Sequence, residues 1–407
     1  MIFQDARLEF ILLLLLIALS FFLPTVSCLL ITIFLVIYPI RYKLTYNLIL
    51  FNFLIYFSLV VAQKQIGLGN DDFAGYISSL ANNKFPSWND NVFDFLFWLL
   101  SSIIYPLTND GKEYIFIASI ISFLPLVIFF SKALYLKNNK LENVRINALF
   151  LGFFCLLFIC SMSFWNLYGN YLRQAWVMSF SLLGLMAITK GKNILALVWA
   201  TLALITHGTG VIVFAGLAGI IFFRKINIRL IINILLISAL LSVIMNPLRV
   251  LLPYLINGVA NKIEFYLTWQ GLSFGTTASY RIMMVAIVLL FINIKFYLFK
   301  TDKLLLYMIL FLSFYCFISL SVSSVPKAVE RLYYPTMIWF YLVVARFFAV
   351  FIYRFCQSQP NFTIMNFTVL PILFLFFFVS LGGTFKYNPS YYAGEIENFI
   401  FFSPFFS

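Results

Sequence analysis

Long apolar runs separated by short basic gaps make up most of the chain. A straight membrane-crossing helix needs about 20 apolar residues, and fewer where the helix is short or the bilayer is locally thinned. On that measure residues 9–23, 25–40, 47–62, 114–131, 146–164, 173–189, 194–206, 208–223, 228–245, 281–297, 303–322, 334–350 and 364–381 are predicted spans. The total is about 11 to 13, according to how the pairs within 9–40 and 194–223 divide. The opening run from Phe10 to Ile40 is too long and too continuously apolar for a cleaved signal and is expected to remain as the first spans.

The basic gaps set a direction. Arg41 and Lys43, the group Lys132, Lys137, Lys140 and Arg145, the pair Lys190 and Lys192, the group Arg224, Lys225 and Arg229, the group Lys295, Lys300 and Lys303, and finally Arg346 and Arg354 all fall on one face in a single alternating threading. By the positive-inside rule that face is cytoplasmic. The opposite face receives the long segments 63–113 and 246–280 and the tail from Gly382, which hold nine of the fourteen acidic residues. The unusual polar chemistry therefore lies outside.

Composition agrees with a membrane protein. The chain of 407 residues is 63% hydrophobic and 10% charged, which excludes a soluble core of this size. The net charge of +13 would suggest nucleic acid in a soluble protein, but here it follows from the topology, and no nucleic-acid partner is expected. The five cysteines show no CxxC spacing and read as core residues rather than disulfide or metal ligands. The expected fold is all-α and GT-C-like: one integral membrane domain, 1–407, whose loops 63–113 and 246–280 line the site. Within the first loop, "NVFDFLFWLLSSIIYPL" reads as an interfacial helix on the outer leaflet, with Phe93, Phe95, Phe97 and Trp98 suited to that interface.

A few polar residues stand out against this background. Arg173 opens the span 173–189, the "KGK" around Gly191 turns at the cytoplasmic surface, and 194–206 runs back out. Arg173 and His207, the sole histidine, therefore return to the same boundary, with Gly208 and Gly210 permitting a bend. Ionisable groups at membrane depth point to function, although Arg173 can also snorkel to headgroups and His207 can cap a helix turn. Gln174 neighbours Arg173. "TTASYR" places Arg281 in the first turn of a span beside free backbone N–H groups, an anion site. In "VPKAVERLYYP", Lys327 and Arg331 share a helix face, and Glu330 can neutralise either. Arg249 reads as a snorkelling residue. In "GLGNDDFAGYISSL" the paired Asp71 and Asp72, followed by Tyr76, can act as a general base, as sugar-hydroxyl acceptors or as metal ligands, or can simply cap the helix that follows. Arginine on this face suits bidentate capture of pyrophosphate.

In these residues the chain resembles the EpsG-like and Wzy-type bacterial polysaccharide polymerases. The resemblance rests on Gly69, Asp71 or Asp72 and Tyr76 in the outer loop, Arg173 opening a span and His207 ending the next run, with Arg331 a looser match. Members often carry an arginine shortly before the Gly-x-Asp, where this chain has "QKQIG" with Lys64. The doubled aspartate leaves the acid open between Asp71 and Asp72. The resemblance implies a multi-pass protein of the bacterial inner membrane whose site faces the periplasm. There it would polymerise undecaprenyl-pyrophosphate-linked oligosaccharide repeat units of O-antigen, lipopolysaccharide or exopolysaccharide. Each transfer would move the growing chain from its carrier to a sugar hydroxyl of the next unit. Its partners would be that lipid-linked substrate, membrane lipids and a chain-length regulator, and neither a cofactor nor a metal is expected.

Within that resemblance Arg173, Arg281 and Arg331 hold the leaving pyrophosphate, with Tyr76 and Gln174 as further substrate contacts. His207, Asp71 or Asp72 takes the proton of the acceptor hydroxyl. Trp88, Trp165, Tyr168, Tyr171, Tyr266 and Trp269 offer faces for sugars or form an ordinary aromatic belt. Two rivals remain: a ligase using the same carrier, which needs the same arginines, and a flippase, which would instead spread charges through a central cavity. The threading predicts that single cysteines at Lys140 and Lys225 resist an impermeant thiol reagent applied from outside, while those at Asp90 and Glu264 react. Labelling at 140 with none at 90 would invert the topology.

Overall fold

A computed structural model gives the architecture of residues 6–19, 23–37, 40, 43–62, 72–83, 92–132, 140–159, 167–169, 171–222, 302–321 and 326–358, to which the description below applies. Among these residues the regular structure is entirely helical. In chain order the helices are α1 (Ala6–Leu19), α2 (Pro24–Ile37), α3 (Lys43–Ala62), α4 (Asp72–Ala81), α5 (Phe95–Ile104), α6 (Gly111–Lys132), α7 (Lys140–Ile159), α8 (Leu172–Thr189), α9 (Asn193–Thr206), α10 (Gly210–Phe222), α11 (Lys303–Ser321) and α12 (Pro326–Ser358). Short 3-10 turns, Val92–Asp94 and Tyr105–Leu107, flank α5.

Lys43–Ala62, Gly111–Ser131, Leu172–Thr189 and Arg331–Val350 are each long and apolar enough to cross a membrane, and shorter apolar helices occupy other expected spans. The protein is thus an all-α polytopic membrane protein. Expected spans 228–245, 281–297 and 364–381 lie outside the described residues.

Several helices outrun the apolar pattern. α7 begins at Lys140, six residues before the apolar run, because Lys, Leu, Glu and Arg are strong helix formers and the backbone stays helical past the bilayer edge. α12 starts on Pro326, which suits a first helical position, and continues 33 residues to Ser358. Arg346 and Arg354, which the threading places on the cytoplasmic face, both lie on α12, and Arg346 is only 1% exposed. Its guanidinium lies over the Phe150 ring of α7, 5.5 Å from the centroid, where aromatic faces attract a cation.

Two compact units divide the chain: residues 1–183, 205–207 and 344–407 form the first, and 184–204 with 208–343 the second. In the first unit α3 packs along α6, with Phe57 against Phe123 at 5.5 Å and the Tyr46 hydroxyl donating to the Phe130 carbonyl at 3.2 Å. α6 carries Pro125, which has no N–H to give the turn before it. There the Ser122 carbonyl accepts a hydrogen bond from Ser179 Oγ of α8, and one turn earlier Trp176 Nε1 donates to the Ala118 carbonyl at 3.1 Å. Polar groups in an apolar medium thus satisfy each other.

In the second unit the α8–α9 turn is a Schellman cap. Gly191 takes φ +71°, its N–H bonds the Ile188 carbonyl at 2.9 Å, and Lys192 N–H bonds the Ala187 carbonyl at 2.9 Å. The turn between α9 and α10 depends on one of its two glycines. A Cβ at Gly210 would lie 2.0 Å from the Ala203 carbonyl oxygen, whereas one at Gly208 meets nothing within 4 Å. Gly210→Ala is therefore expected to lose about 1–3 kcal/mol or more of stability. Gly208→Ala should be near neutral, and the comparison is read by thermal unfolding in detergent.

Candidate functional site

Three segments of the first unit converge on the start of α8. α4 buries Phe73, Tyr76 and Leu80, spaced to share one helix face. α5 buries Phe97, Trp98 and Ser101, and the Tyr114 hydroxyl of α6 donates to Ser101 Oγ at 2.8 Å. Tyr76 is the meeting point: its ring lies 5.1 Å from Phe97 and 5.9 Å from Trp98, and Phe97 meets Trp176 of α8 at 5.2 Å. The expected membrane-surface role for these aromatics is corrected at two positions. Phe97 and Trp98 face the protein, while Phe93 is exposed.

Arg173, in the first turn of α8, reaches into this cluster. Its Nη1 pairs with Asp94 Oδ2 at 2.9 Å, and its Nε donates to the Tyr76 hydroxyl at 3.2 Å. The guanidinium also lies 5.3 Å from the Tyr76 ring centroid. Tyr76 in turn donates to Asp72 Oδ2 at 3.3 Å. The result is a directional chain: Asp94 holds Arg173, Arg173 orients the phenol, and the phenol orients the partly exposed Asp72 at the first turn of α4. Burial pushes the Tyr76 phenol well above the usual tyrosine range, opposed by Arg173 and assisted by Asp72. Tyr76 therefore stays protonated, and a donor, at neutral pH.

Of the residues expected from sequence, the structure gathers Asp72, Tyr76 and Arg173. Gln174 is 2% exposed, and neither amide atom has a hydrogen-bond partner. His207 belongs to the same unit and is half-buried at the end of α9. Arg331 lies on α12 in the second unit. Asp71 and Arg281 lie outside the described residues, as do Gly69, Lys64, Arg249, Trp88, Trp165, Tyr266 and Trp269. Tyr168 is no open sugar platform: it is 1% exposed and stacks on Phe123 at 4.4 Å.

Asp94 is the site residue that sequence reasoning missed. The signal was an acid interrupting the apolar run "NVFDFLFWLL", which demands a partner when it is buried. Among the described residues no three His, Cys, Asp or Glu side chains are grouped as metal ligands.

An all-helical membrane protein with a partly buried Arg-Tyr-Asp network at one end of a long apolar helix is the class that fold and site define. The EpsG family matches residues 48–389, most of the chain, and the chain belongs to this family of Wzy-like polysaccharide polymerases. Membership makes it a polymerase-type glycosyltransferase of the membrane. No curated protein and no solved structure matches it.

The Arg173–Asp94 pair generates a stability prediction. Asp94→Ala strands a largely buried guanidinium and should cost about 3 kcal/mol, the low end of the range for broken buried pairs because Arg173 keeps some solvent contact. Arg173→Met added to Asp94→Ala should recover part of the loss, giving a coupling of about 1–3 kcal/mol. Additive losses in a double-mutant cycle would show that the pair is idle.

Proposed function

We propose that the protein polymerises undecaprenyl-pyrophosphate-linked repeat units on the outer face of the bacterial inner membrane. Each turnover transfers the growing chain from its carrier to a sugar hydroxyl of the next lipid-linked unit. The observation that carries this reading is the Asp72–Tyr76–Arg173–Asp94 chain in a member of a polymerase family.

In this reading Asp72 is the proton acceptor. Tyr76 occupies one carboxylate oxygen and leaves the other for the acceptor hydroxyl, and a positioned base is worth about 10²–10⁴ in rate. Arg173 uses two separate edges of its fork, one for Tyr76 and one for Asp94. A lysine's donors all sit on one nitrogen, so it lacks the separate edges that reach both partners, whereas the remaining guanidinium N–H groups of Arg173 stay available. Those N–H groups are donors for the pyrophosphate oxygen that gains charge as the glycosidic bond breaks. In this reading His207 is not the base.

The test is polymerisation by the purified, reconstituted protein from lipid-linked repeat units, read as a ladder on a gel. Asp72→Asn should lower the rate at least about 100-fold while leaving folded protein. Arg173→Lys should also be severely impaired, and Tyr76→Phe should lower kcat about tenfold with little change in KM. His207→Gln should keep its rate and the same acid limb. Full activity in Asp72→Asn, with loss of activity in His207→Gln and a limb near the ordinary histidine value of about 6.5, would move the base to His207. Absence of any ladder from the wild-type protein would sink the polymerase reading.

A further inference from the structure

Three helices of the first unit meet at the site, and each pair is joined by a directional polar contact. The turn that opens α5 meets α8 through Asp94 and Arg173 at 2.9 Å. α8 meets α6 through Trp176 Nε1 and the Ala118 carbonyl at 3.1 Å, and again where Ser179 donates to the Ser122 carbonyl. α6 meets α5 where the Tyr114 hydroxyl donates to Ser101 Oγ at 2.8 Å, with both residues fully buried. Tyr114 and Ala118 are four residues apart and share a face of α6, so the three contacts close into one circuit.

Asp94, Phe97, Trp98 and Ser101 follow one another at helical spacing and are buried, while Leu99 and Ile103 are exposed, so α5 is held by this one face. Ring contacts among Tyr76, Phe97, Trp98 and Trp176 hold the face against the protein. Apolar contact of this kind is non-directional and does not by itself set a register. Aspartate at an N-cap often fixes a helix from its own end, but the Asp94 carboxylate makes no cap bond to α5 and turns to Arg173. The register of α5, and with it the place of Asp94, therefore depends on the tie at Ser101.

We propose that Tyr114 is a positioning residue for the site. By holding Ser101, two helical turns from Asp94, it keeps α5 in the register at which Asp94 meets Arg173. Tyr114 acts through Asp94 and Arg173, and not on the substrate. Its effect on turnover rests on the polymerase reading; its part in placing Asp94 does not.

The probe is Tyr114→Phe. It removes the hydroxyl, keeps the ring that packs edge-on against Tyr105 at 5.9 Å, and leaves Ser101 able to donate to the Phe97 carbonyl of its own helix. With the full-length protein in detergent, the unfolding double-mutant cycle between Asp94→Ala and Arg173→Met is measured with Tyr114 in place and again in the Tyr114→Phe background. The coupling should be present in the first cycle and lost in the second. In the polymerisation assay Tyr114→Phe should lower kcat about tenfold with KM unchanged, and Ser101→Ala should do the same. Neither should lower the residual rate of Asp94→Ala any further. A merely structural tie would lower stability while leaving the coupling intact, and its kcat losses would add to that of Asp94→Ala. Either result overturns the proposal. A ladder from wild type with the coupling intact would overturn the positioning role alone. No ladder from wild type, with the coupling lost in the Tyr114→Phe background, would leave the positioning role standing and remove the polymerase.

Discussion

The cluster at the start of α8 is organised around one half-buried cation. A guanidinium held among aromatic rings is stable only if its charge is met nearby, and Arg173 meets it with Asp94 while spending a second edge on Tyr76. Those two contacts bring α4, the turn before α5, and α8 to one place. α4 has ten residues, too few for a helix to persist alone in water, so its position is borrowed from this contact and from the aromatic packing around Tyr76.

The same arrangement holds a carboxylate at a fixed place in a membrane protein. Asp72 is on the short helix, not on one of the long apolar helices, and is partly exposed. Its geometry is nevertheless set by a residue 101 positions away in sequence, through one phenol. Electrostatics is preorganised by packing: the rings of Phe97, Trp98 and Trp176 fix the phenol, and the phenol fixes the acid.

Much of this was legible from the order of residues. Apolar runs located every described span to within a few residues at the apolar end, because lipid imposes its thickness directly on composition. The same patterns were blind to helix that continues into water, as at Lys140 and beyond Val350, since backbone helicity does not stop at the bilayer edge. Asp72, Tyr76 and Arg173 were marked as unusual one by one, and their union is tertiary. Asp94 was overlooked because its run read as an interfacial helix, and the choice between lipid and protein for Phe97 and Trp98 depends on partners far along the chain. Counting basic residues is equally silent on the partner of Arg346, which is buried on its helix against Phe150.

The two bonds that join α8 to α6 have an uneven character. Trp176 and Ser179 supply the donors, but both acceptors are main-chain carbonyls, of Ala118 and Ser122. A carbonyl survives any change of its own side chain, so at the fully buried Ala118 and Ser122 the polarity of the residue is free to vary while its small size is not. The donor positions have no such latitude, and neither does Pro125, whose missing N–H alters the ladder beside Ser122. Mutational tolerance should therefore be lopsided along this contact, with exchange among small residues accumulating on α6 at positions 118 and 122 while the facing residues of α8 stay fixed by what they must donate.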